Sequence, residues 1–183
     1  MQYFLSVIFC GFIFASSWLL ALPAAASPVI SPVATLPGLG DAFRGASPDS
    51  LGVQAGHLAP CPPSPNCVVS QSADADHVIE PIAYQGDRAT VRKTLLEVLS
   101  VVPRTTVVAE TEDYIWFESQ SRLMGFVDDG EFYLPADENV IHMRSAARLG
   151  ESDLGVNRRR LEQIRLALQD LGVSAAKPST NLR

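Results

Sequence analysis

The chain has 183 residues, 47% of them hydrophobic and 19% charged, with a formal net charge of −6. Less a short N-terminal segment, that length supports one domain with a genuine core. The acidic balance argues against nucleic acid or an anionic membrane surface as partner, because both select basic proteins.

No charged residue precedes Asp41, and residues 3–22 are mostly Phe, Ile, Leu, Val and Ala. Such a block reads as an export or membrane signal rather than core. Ala24-Ala-Ala26-Ser27 suits signal-peptide cleavage after Ala26, making 1–26 a signal peptide. A retained anchor is the alternative, since no Lys or Arg stands in the n-region and the apolar run approaches the ~20 residues that span a bilayer. Membrane contact is then expected only through this segment if it is uncleaved. Cys10 lies within the apolar block behind Phe9, a poor context for lipidation.

Residues 27–57 are rich in Pro, Gly, Ser and Ala without periodicity, and read as a flexible linker. The domain is expected over 58–172, with 173–183 a disordered tail. Its first feature is Cys61-Pro-Pro-Ser-Pro-Asn-Cys67. Three prolines stiffen this short loop, and a disulfide between Cys61 and Cys67 would fit an oxidising compartment. Free thiols or a metal pair are the alternatives, with His57 and His77 close in sequence.

Residues 77–84 are extended, and Pro81 confines them to an edge or a strand start. Residues 87–102 read as a helix, with Val91, Leu95, Val98, Leu99 and Val102 at helical spacing and Pro103 ending it. The period then becomes two over 105–110, 114–120, 126–134 and 140–147, joined by short polar connectors. Ser152 or Asp153 is expected to cap a last helix running to about Leu171, with Gly172 just past it. Its stripe is Leu154, Leu161, Ile164, Leu168 and Leu171, with Asn157 in the middle. The prediction is α+β: an antiparallel meander of four to five strands packed with two helices.

Alternation places Phe126, Asp128, Phe132 and Leu134 on one face and Val127, Asp129, Glu131 and Tyr133 on the other. Matching apolar faces puts Asp129 and Glu131 beside His142, Arg144 and Arg148, and turns Asp128 and Ser145 inward toward Asn157. Gly130 is a candidate bulge. One reading is structural, with ion pairs across the strands and a satisfied polar cluster under the helix. A second is an anion site near the start of the last helix, formed by Arg144, Arg148, Asn157 and Arg158 and supported by Asp128, Asp129, Glu131, Ser145 and Asp153. The third is a small metal-assisted hydrolase built on Asp128, Asp129 and Glu131. Adjacent aspartates face opposite ways in a strand, and the spacing matches no calcium loop. No nucleophile elbow or phosphate-binding glycine loop occurs, and neither a catalytic residue nor a cofactor is assigned. Tyr114, Trp116 and Phe117 read as part of a sheet covered on both faces, by helices and by the N-terminal segment, with an exposed aromatic strip for a partner as the alternative.

Together, Cys61-Pro-Pro-Ser-Pro-Asn-Cys-Val68 with Ser70 and His77, Phe126-Val-Asp-Asp-Gly-Glu-Phe132, Arg144-Ser-Ala-Ala-Arg148 and Asp153-Leu-Gly-Val-Asn-Arg158 resemble the domain of unknown function 1499 family, most closely its cyanobacterial members. The resemblance covers residues 58–171 and implies a periplasmic or thylakoid-lumenal home, without naming a substrate. It departs at Gly130, where the pattern has an apolar residue, and at Ala147, where it has a serine. The functional expectation is a non-catalytic binding or assembly-support domain whose partner is a small anion or an envelope or lumen protein.

Overall fold

The computed structural model describes residues 43–174. The expected signal peptide, linker residues 27–42 and tail residues 175–183 lie outside the described residues.

Alternating β-branched and aromatic residues form the strands β3 (Thr105–Glu110), β4 (Tyr114–Gln120), β5 (Val127–Tyr133) and β6 (Val140–Ala147), all in antiparallel register. Two short strands, β1 (Cys67–Val69) and β2 (Ile82–Ala83), pair in succession along the outer edge of β6. The sheet order is β1-β6-β5-β4-β3, with β2 also on β6, making six strands. Pro81 immediately precedes β2, at an edge where its missing N–H breaks no ladder. The three-residue β1 is too short to show as a periodic pattern.

Helix α1 (Arg88–Val101) is capped by Asp87, whose carboxylate accepts the N–H of Thr90 at 2.9 Å. Helix α2 (Val156–Asp170) starts later than expected. Leu154 and Gly155 both adopt left-handed conformations, with φ of 53° and 74°, and insert a turn. Asp153 still serves the helix start, because its Oδ2 accepts the N–H of Asn157 at 2.7 Å. The turn removes Leu154 from the expected stripe and leaves it 84% exposed, and Leu171 is also exposed. Leu161, Ile164 and Leu168 are buried as the spacing predicts.

Both helices cover one sheet face. Ile115, Phe117, Phe132, Ile141 and Met143 point into them and meet Leu95, Leu99, Leu161 and Leu168 in one core. Gly130 is not a bulge: the register runs unbroken through it on both sides, and the irregularity falls between Val107 and Ala109. Gly130 instead makes room for the ring of Phe117 on the neighbouring strand.

Residues 43–57, assigned to the linker by composition, lie along the opposite sheet face. Phe43 packs on Phe126 at 5.2 Å, Arg44 pairs with Glu118, and Gly52 donates its N–H to Glu131 at 2.8 Å. At the other end, Val173 and Ser174 stay attached through the N–H of Gln85 and a bridge to Tyr84. Among the described residues, no helix is long and apolar enough to cross a membrane.

Candidate functional site

On the face away from the helices, the register sets Glu131 directly opposite Arg144 and places Trp116 on its other side. Glu131 is fully buried. Its Oε2 accepts Arg144 Nη1 at 3.0 Å, and its Oε1 accepts the Tyr114 hydroxyl and the Gly52 N–H. Two residues along the strand on the same face, Asp129 is also fully buried and takes two bonds from Arg148, at 2.8 and 2.7 Å, plus the Trp116 indole N–H at 2.9 Å. Arg148 continues to Glu118, which also holds Arg44. Burial first, and then the carboxylate of Glu131, pushes the Tyr114 phenol above its ordinary value. Hydrogen bonding to Asp129 raises Arg148 likewise, so both guanidinium and phenol keep their protons.

On the helix face a separate polar knot surrounds Asn157. Ser145 and Arg160 both donate to its Oδ1, at 2.5 and 2.9 Å, while its Nδ2 donates to the Asn66 carbonyl at 3.1 Å. Every polar atom of this buried amide side chain therefore has a partner, which the position under the helix demands. Asp128 pairs with Arg160 at 2.6 Å on this same face. Burial pushes the Asp128 carboxyl up, against the opposing pull of Arg160.

The structure thus separates the expected site residues. Arg144 and Arg148 lie on one side of the sheet with Asp129 and Glu131. Asp128, Ser145, Asn157 and Arg158 lie on the other, and Arg158 is spent on the carbonyls of Val78 and Asp76. The acidic residues proposed for a metal are divided in the same way and are each engaged by arginine. Among the described residues, no group of three or more His, Cys, Asp or Glu side chains is arranged to hold a metal ion.

Cys61 and Cys67 form a disulfide, with Cα atoms 5.6 Å apart. The loop it closes is held from outside by His77, which is 6% exposed. His77 Nδ1 meets Asp74 Oδ1 at 2.7 Å and Nε2 meets the Ser64 carbonyl at 3.1 Å. Both nitrogens face acceptors, and only the imidazolium donates from both. The Asp74 hydrogen bond raises the His77 pKa above 6.5, with Asp76 adding to it. A raised histidine contributes stability that is complete below the unfolded value of 6.5 and is lost as pH rises through the folded one. Urea midpoints should therefore fall with pH above about 6.5 more steeply in wild type than in His77→Gln. Parallel curves would remove His77 from the pH response. The comparison with the variant is needed because burial lowers the pKa of His142, an effect of opposite sign.

Ser70 lies within hydrogen-bond distance of His142 Nδ1, at 3.3 Å, and its hydroxyl oxygen accepts the Met143 N–H at 2.9 Å. Glu138 stands 3.9 Å from the other ring nitrogen, beyond hydrogen-bond reach. Ser70 thereby serves to fasten the chain after β1 to β6.

Open concave surface occurs at the end of the sheet beside the start of α2. A cleft of about 390 Å³ is lined by Arg104, Arg122, Arg159 and Arg160, with Ser119, Gln120 and Gln163 among its other polar groups and Asp128 as its carboxylate. Arg104 and Arg159 use single nitrogens on the carbonyls of Gln120 and Leu154. Arg122 makes no hydrogen bond or ion pair among the described residues. Three guanidiniums without a carboxylate partner thus converge here in an acidic protein. Sequence periodicity points Arg159 away from the core but does not show that loops bring Arg104 and Arg122 beside it. Arg122-Leu-Met124, a cation beside two apolar residues in a hairpin connector, is the available signal.

The fold and its clefts define an α+β domain with a helix-covered antiparallel sheet. The chain belongs to the family described as protein of unknown function DUF1499, whose model matches residues 57–168. No curated protein and no solved structure matches the chain.

Proposed function

We propose that this protein is a non-catalytic binding domain that works after export, in a periplasm or thylakoid lumen, and holds an anion in the arginine-lined cleft. The carrying observation is the contrast in charge pairing. The carboxylates inside the sheet are neutralised by arginine, whereas Arg104, Arg122 and Arg159 face the cleft without one. Guanidiniums suit carboxylate and phosphate because their forked N–H groups match two oxygens at once. The Cys61–Cys67 disulfide and the uncharged, apolar N-terminal segment support export.

Phosphate, sulfate and small carboxylates should raise the thermal transition of the wild type and act much more weakly on Arg122→Ser/Arg159→Ser. A ligand of the native state at about 100 times its Kd adds about 2.7 kcal/mol, well within detection. A transition unmoved by any of these anions would sink the binding reading. Recovery of the protein from its own cells with residues 1–26 still attached would sink cleavage after Ala26.

A further inference from the structure

We infer that the ligand is an amphipathic anion, with a phosphate or carboxylate head held by Arg104, Arg122 and Arg159 and an apolar body lying in the adjoining cleft against Leu149, Leu154 and Val156. This rests on the anion reading of the same cleft and narrows it to a chemical class.

The two halves adjoin. The second cleft, about 310 Å³, shares Ser121, Asp128 and Val156 with the arginine-lined one. Each volume is within the range of small-molecule sites. Their linings differ in chemistry: guanidiniums, amides and hydroxyls beside Val102 and Pro103 on one side, Phe126, Ala147, Leu149 and Leu154 on the other, and Val156 common to both. Large apolar residues remain exposed at this end of the molecule, with Leu154 at 84%, Leu123 at 79%, Met124 at 42% and Leu149 at 41%. Such a collection on one edge marks a surface that apolar matter covers.

The backbone supplies an independent observation. Among the described residues four non-glycine residues are held in left-handed conformations; Ala55 and Ser72 lie elsewhere, and the other two, Arg104 and Leu154, with φ of 55° and 53°, stand at the two clefts. One brings a cation to the head cleft and the other brings an apolar side chain to the body cleft. Strain of this kind persists where the surrounding structure over-determines it, commonly at ligand sites. Polarity along the groove is set by Asp153, which lines only the apolar cleft and repels a head group there, whereas Asp128 lines both clefts and is paired with Arg160. The head is thereby directed to the arginine side.

Isothermal titration of the full chain with monomeric octyl phosphate, inorganic phosphate and octanol separates the possibilities. Octyl phosphate should bind at least about tenfold more tightly than phosphate, since the burial of even a few methylenes exceeds that factor. Leu154→Ser should weaken octyl phosphate and leave phosphate unchanged, whereas Arg122→Ser should weaken both about tenfold. Both residues are exposed, and both variants retain the apolar N-terminal segment, so the differences report the groove. Equal affinity for phosphate and octyl phosphate would overturn the amphipathic class while leaving the anion reading intact. Failure of both anions would end both. Octanol binding as well as octyl phosphate would overturn the role of the arginines. Binding to phosphatidylglycerol vesicles without any response to the monomer would replace the groove by a membrane surface and overturn the inference.

Discussion

Arg144→Met should lower the stability of the domain by about 3–5 kcal/mol, a fall on the order of 10 °C in Tm for a chain of this size. Glu131 is fully buried beside it, and removing the guanidinium leaves a carboxylate supported only by the Tyr114 hydroxyl and the Gly52 N–H. The loss comes chiefly from the stranded charge, because a buried ion pair is worth little over an apolar pair of equal shape. The double variant Arg144→Met/Glu131→Gln should therefore recover a large part of the deficit, since Gln removes the charge and its carbonyl still accepts from Tyr114 and Gly52. A denaturant titration of both variants decides the matter. A double variant no more stable than the single one would show that packing of the Arg144 stem, rather than charge, is what matters.

Gly130→Ala is the second substitution with a large expected effect, and its sign is set by two opposing terms. Gly in a strand interior is worse than Ala by about 0.5–1 kcal/mol through backbone entropy. Against this, a Cβ at Gly130 would sit 1.9 Å from Phe117 Cζ and under 2.5 Å from two further atoms of that ring. Phe117 cannot yield easily, because it is fully buried and stacked on Phe132 at 5.4 Å. Overpacking of a tight core typically costs about 1–3 kcal/mol, and a clash of this depth belongs at or above the upper end. The expected net loss is about 3 kcal/mol. Phe117→Leu should be less harmful in the Gly130→Ala background than in wild type, a coupling measurable by a double-mutant cycle. Strict additivity of the two would clear the Phe117 ring of responsibility.

These two sites show how far local pattern carries. Alternation placed Glu131 and Arg144 on one face, and Asp128 and Ser145 on the other beside Asn157, because a period of two along β5 and β6 assigns each residue a face. The same reasoning could not place Arg158 with respect to Arg144. That relation depends on a helix docking against a sheet, and it puts the two residues on opposite sides. Gly130 looked like a bulge because glycine in a strand has more than one cause. The real cause, the ring of Phe117, lies on another strand at a register position that no local window contains.

The last helix divides in the same manner. Leu161, Ile164 and Leu168 were legible from their spacing, but the left-handed turn at Leu154 and Gly155 was not, and it converts an expected core leucine into the rim of a groove. Residues 43–57 show the reverse case, where a composition suited to a tether packs along a sheet because specific groups there, Arg44 and the Gly52 N–H, meet buried acids.

By itself the sequence determined that the two helices and four long strands form and, within the strands, the face each side chain takes, since these follow from the short-range periods of helix and strand. The cross-strand pairing of Glu131 and Asp129 with Arg144 and Arg148 follows from those faces, whereas tertiary structure alone decided which arginines remain available. Arg104, Arg122 and Arg159 come from a helix-to-strand turn, a hairpin loop and a helix start. Only the folding of the chain brings them to one cleft.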